Sequence, residues 1–143
     1  MKSAGIVLLF SILSTFTTIA QQNCNGKVVP YKISIGGHTD SVSKEALLKA
    51  GKIESVNKAF TIISFTLSGG GNCLKEGLYS SVNCESASFS PMAINFIKRM
   101  PPGYKFYIDC IRSKNSIDQE YYLKPQVMTI CVVSPATSTK VIP

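Results

Sequence analysis

The chain has 143 residues, a length suited to one domain. Its net charge of +7, from 15 basic and 8 acidic residues, is moderate and scattered, and Trp is absent. That balance argues against a nucleic-acid binder and favours acidic partners or an anionic envelope surface, while a single His and the absence of any C-x-x-C spacing leave no zinc signature and no expected cofactor.

The N-terminus reads as a secretory signal peptide over residues 1–20. Lys2 supplies the charge, Ala4 to Ile12 is almost wholly apolar, and Thr18 and Ala20 put short side chains at the cleavage positions. The apolar stretch is shorter than the roughly 20 residues a membrane span requires. The expected product is periplasmic or secreted, with no integral membrane segment. Residues 21–27 form an N-terminal extension, 28–133 a single domain, and 134–143 a frayed tail rich in Pro, Ser and Thr.

Within the domain, Val29, Tyr31, Ile33 and Ile35 alternate with polar or turn-forming residues, a strand pattern that Gly36-Gly37 stops. Ser43 to Gly51 predicts a short helix: Ser43 caps it, Glu45 suits its first turn and Gly51 ends it. Ile53 and Val56 begin another extended region. Ile63, Phe65 and Leu67 then alternate with Ser64, Thr66 and Ser68, which predicts a half-buried strand ending at Gly69-Gly70-Gly71. Asn72 to Ser88 shows little periodicity and reads as a long loop.

Ser90-Pro91 predicts a second helix start. Met92, Ala93, Phe96, Ile97 and Met100 make one apolar stripe, and Pro101-Pro102-Gly103 forbids continuation. Phe106, Ile108 and Cys110 alternate with Lys105, Tyr107 and Asp109 as a strand. Asn115 to Gln119 is a polar turn, Tyr121 to Leu123 a short strand, Pro125 a bend, and Val127 to Val133 a closing strand. The expected fold is mainly β, a sandwich with two short helices.

Five cysteines in an exported chain point to disulfides. Cys73, Cys84, Cys110 and Cys131 are the candidates, with three pairings open. A Cys73–Cys84 bridge would staple the 72–88 loop and contribute roughly 3 kcal/mol. Cys110 and Cys131 lie in two strands that could pair, which leaves Cys24 as the odd one.

The sequence supplies no constellation expected to catalyse. His38 is the sole residue able to serve a Ser or Cys nucleophile and reads as a polar loop residue. Glu76 and Glu85 would approach each other only if the loop were stapled, and read as exposed acids. The three glycines at 69–71 lack the Lys and Ser/Thr of a phosphate loop. Lys98, Arg99 and Lys105 read first as a solvated face matched to the helix dipole, and second as a basic docking patch.

The segments YKISIGGHTDSVSKEALLKAGKI, FTIISFTLS, FSPMAINFIKRMPPGYKFYIDCIRS and YYLKPQVMTI run in that order over about Tyr31 to Ile130. Together they resemble the C-terminal domain of the gliding-motility protein family GldM. The tightest local likeness runs from Ile97 to Asp109. In place of that family's Gly-Pro-Asp-Gly-Lys-type turn this chain has Asn115-Ser-Ile-Asp-Gln119, and its cysteines are additions. The resemblance implies an immunoglobulin-like β-sandwich in the periplasm, docking proteins without catalysis beside gliding or type IX secretion components. The expectation is therefore a non-enzymatic, exported protein-binding module. A rival expectation is an envelope sensor that binds a small ligand such as a cell-wall fragment, favoured by a concave apolar pocket beside the 72–88 segment and disfavoured by a flat surface.

Overall fold

The computed structural model describes residues 24, 26–69 and 80–131. Residues 1–20, read as a signal peptide, together with Cys73, Glu76 and residues 134–143, lie outside the described residues.

The chain enters through β1 (Val28–Val29) and β2 (Ile33–Ser34), so the single strand expected over Val29 to Ile35 is two. Pro30, which has no N–H to donate, separates them. β1 runs parallel to a later strand, while Ile33 and Ile35 point into the core. Ile35 and His38 then exchange backbone hydrogen bonds of 2.9 and 3.0 Å across Gly36 and Gly37. Both glycines hold positive φ, at 55° and 85°, as a two-residue type I′ turn requires.

β3 (Ser41–Val42) leads into α1 (Lys44–Ala50). The helix has the predicted ends: Ser43 accepts from the Ala46 N–H, and Gly51, at φ 65°, donates to the Leu47 carbonyl. β4 (Glu54–Ser55) pairs antiparallel with β2 in a small second sheet. β5 (Thr61–Gly69) is an interior strand of the main sheet, one place in from its edge. It was expected to be half-buried, yet Phe65 through Gly69 are all buried. The polar face of this interior strand is covered as well as the apolar one, and alternation cannot report that.

The 72–88 segment is not all loop. Its second part forms β6 (Ser80–Cys84), an antiparallel edge strand on β5. α2 (Pro91–Arg99) follows, capped by Ser90, which accepts from Ala93 N–H. Ala93, Phe96, Ile97 and Met100 of the predicted stripe are buried, whereas Met92 is 70% exposed. Met92 sits at the angular edge of the stripe, while Ala93 beside it is fully buried. α2 packs on β6 and α1.

β7 (Lys105–Lys114) organises the rest. One side of it pairs with β5. Its other side pairs with β9 (Gln126–Ile130) through its first half and with β8 (Glu120–Leu123) through its second. The change of partner falls at Cys110, which holds a positive φ of 46°. Between Thr66↔Asp109 and Ser64↔Arg112, β7 carries one residue more than β5, and between Ser64↔Arg112 and Ile62↔Ser113 the excess reverses. Two opposed bulges therefore bend the sheet and restore its register. The first removes Cys110 from the inward series, so burial passes from Phe106 and Ile108 to Ile111.

β1 joins β8 and β3 joins β9, both in parallel, so the main sheet has seven strands. Gln126 ties the two sheets together. Its side chain accepts from Ile33 N–H at 3.0 Å and donates to the Ile33 carbonyl at 3.1 Å and to that of Thr39. It thereby satisfies the backbone of β2 where no strand does. The core lies between the curled sheet and the cover formed by the helices and the small sheet. Phe65, Leu67, Phe106, Ile108 and Met128 face Leu47, Phe96 and Ile97 there. The fold is mainly β with two short helices, an arrangement compatible with the expected sandwich.

The disulfide differs from expectation. Cys110 bonds to Cys24, with 5.3 Å between their Cα atoms, and not to Cys131. Once the bulge takes Cys110 out of the inward series it meets the N-terminal segment, so Cys24 is not the odd cysteine. Among the described residues, Cys84 and Cys131 are free thiols. Cys84 is buried, with its Sγ 3.8 Å from Ser90 Oγ. The proposed partner of Cys84, Cys73, lies outside the described residues.

Candidate binding surfaces

Two places on this scaffold have chemistry to offer: a basic end and a polar cleft.

The basic end forms where α1 begins and α2 stops. Lys44 Nζ donates to the Lys98 carbonyl at 3.2 Å, satisfying one of the free carbonyls at the end of α2. Lys98 and Arg99 occupy the last turn and are exposed. Met100 is buried, and the chain turns through Pro101, Pro102 and Gly103, whose N–H donates to Ile130 at 2.8 Å. Lys105 opens β7 two residues later and is also exposed. The four ion pairs among the described residues use Lys32, Lys52, Arg112 and Lys114. Lys98, Arg99 and Lys105 take part in none of them. Tyr107 follows Lys105 on the same strand face and pairs in register with Val127. Both are exposed, at 43% and 46%. The strand pattern held the signal for Tyr107, but it took the register to set Val127 beside it.

The cleft lies across the bend of the sheet and has a volume of about 240 Å³. Ser64 and Thr66 of β5, Asn83 of β6 with Glu85 beyond it, Arg112 of β7 and Tyr122 of β8 line it, with the Cys24–Cys110 bridge and Cys84. Register explains the grouping, because Ser64↔Arg112, Arg112↔Tyr122 and Thr66↔Asn83 are cross-strand partners. Thr66 Oγ1 donates to Asn83 Oδ1 at 2.9 Å. Arg112 Nη2 donates to both carboxylate oxygens of Glu120, at 3.1 and 2.9 Å. That pair raises the guanidinium pKa, with Glu85 a smaller influence. Gly26 rests against the Tyr122 ring, where any Cβ would collide with Cδ2 and Cε2.

Beside this region, Ser68 donates to Asp109 Oδ2 at 3.2 Å. The other carboxylate oxygen, Oδ1, is buried without a partner among the described residues, and burial pushes the Asp109 pKa up.

The remaining candidates stay apart. His38 is exposed in its turn, and no described acid or nucleophile is hydrogen-bonded to its ring. Glu85 is exposed and lines the cleft, while Glu76 lies outside the described residues. Among the described residues no three His, Cys, Asp or Glu side chains are grouped to hold a metal. No described helix is long and apolar enough to cross a membrane.

Comparison with protein families and with curated proteins finds no match for this chain.

Proposed function

We propose that the chain is a non-enzymatic binding module that docks an acidic protein partner through its basic end. The observation that carries this reading is the juxtaposition at the start of β7. There the exposed cross-strand pair Tyr107 and Val127 adjoins Lys105, and Lys98 and Arg99 lie across the turn without described ion-pair partners. An exposed apolar pair beside a lysine suits a protein partner, because the pair supplies desolvation while the charges of Lys98, Arg99 and Lys105 steer an acidic surface. The resemblance to GldM C-terminal domains supports an exported, envelope-facing role, with gliding or type IX secretion components as the first partners to seek.

The test is cross-linking and co-purification from native cells with wild type and a K98E/R99E/K105E variant. An acidic envelope protein recovered with wild type and lost with the variant supports the reading. Equal recovery of the same partners by both would refute the basic end as the docking surface. The interaction should also weaken with salt, since exposed charges are screened.

A further inference from the structure

The cleft at the bend of the sheet carries hydrogen-bonding capacity that the fold leaves unused. Among the described residues, Arg112 spends only Nη2, on Glu120, so its Nε–H and Nη1 donors have no partner. Asn83 accepts through Oδ1 and makes no bond through Nδ2. The Ser64 and Tyr122 hydroxyls and the Glu85 carboxylate make no hydrogen bond to a described residue either. These groups reach one concavity from four neighbouring strands and the residue beyond β6.

Three physical limits select the ligand class. The first is charge: Arg112 is offset by Glu120, and Glu85 adds a further negative charge, so phosphate and carboxylate ligands are disfavoured. The second is size. At about 240 Å³ the cleft falls just below the roughly 300–1,000 Å³ of drug-sized sites, which suits a single small ring. The third is polarity, because a planar guanidinium, an amide and a carboxylate offer paired donors and acceptors that match neighbouring hydroxyls. A tyrosine ring adds an amphipathic wall.

We propose that this cleft binds a neutral sugar ring, a hexose or N-acetylhexosamine, with Arg112, Asn83 and Glu85 on its hydroxyls. The site is independent of the basic end, so either can fail without the other. It is a polar cleft, unlike the apolar pocket that the sequence-based small-ligand expectation called for.

The experiment is a titration of the intact exported chain with glucose and with N-acetylglucosamine, followed by two-dimensional NMR. Saturable shifts should appear at Ser64, Asn83, Glu85, Arg112 and Tyr122. They should weaken about tenfold in Asn83→Ala and in Arg112→Lys, each having lost donors at an exposed or half-exposed position. Glu85→Gln, on the surface and safe for folding, should also weaken binding, and K98E/R99E/K105E should leave it unchanged. No saturable shift with either sugar, shifts centred elsewhere, or equal displacement by inorganic phosphate would overturn the proposal.

Discussion

Asp109 is the residue whose chemistry departs furthest from what its sequence neighbours suggest. It alternates with core residues as an outward strand position, yet one carboxylate oxygen is buried and unpaired among the described residues. Burial raises its folded pKa above the unfolded value, so the native state holds the proton more tightly. The stability this contributes is present at low pH and is lost as pH rises from the ordinary aspartate range through the raised value. Asp109→Asn removes the titration. Its unfolding midpoint relative to wild type should climb across that window and then level off, and a flat difference would show that the carboxylate is not desolvated. Gly69 is a second case, one of crowding. A Cβ there would sit 2.5 Å from Tyr104 Oη and 3.1 Å from Phe96 Cζ. Gly69→Ala should therefore lower stability by roughly 1–3 kcal/mol in urea titrations, whereas an unchanged midpoint would mean that the ring moves freely aside.

At the scale of elements, the two helices were legible because their ends are written locally. Ser43, Gly51, Ser90 and Pro91 act on backbone groups within a turn of themselves, so no tertiary contact is needed to read them. Ser43→Ala and Ser90→Ala should each cost roughly 0.5–2 kcal/mol, measurable as parallel shifts in denaturant midpoint. The larger loss is expected at Ser90, whose hydroxyl also meets the buried Cys84 thiol. Negligible losses would count against the cap geometry, and equal ones against a contribution from the thiol contact. Strands were harder to read. Alternation found β5 and β7, and β-branched residues marked β9, but the same reading made a loop of β6 because Ser-Ser-Val-Asn-Cys is polar and its pairing with β5 is supplied from outside the segment.

For the whole molecule, the Cys24–Cys110 bridge joins the N-terminal segment to the bend of β7 across 86 residues of sequence. Closing so long a loop restricts the unfolded chain strongly. Its removal by Cys24→Ser with Cys110→Ser should cost roughly 2–5 kcal/mol in guanidinium unfolding. Peptide mapping without reduction should recover Cys24 linked to Cys110, and recovery of Cys110 linked to Cys131 would contradict the pairing. The same bend assembles the cleft, because the reversal of bulges along β5 and β7 returns Ser64 and Arg112 to one face as register partners. Neither residue stood out in sequence, where nothing marks a polar residue on a strand as part of a concavity. The basic end, by contrast, was visible as Lys98, Arg99 and Lys105 around a Pro-Pro-Gly break.

By itself the sequence determined the mainly β character, both helices with their caps, the polar turn at Asn115–Gln119 and most of the core. All of these rest on interactions within a few residues or on the periodic burial of one face. Tertiary structure decided the double burial of β5, the edge strand β6, the partner of Cys110, and the meeting of Ser64, Asn83 and Arg112. Each depends on register between segments distant in sequence, and one extra residue at Cys110 changes which side chains share a face.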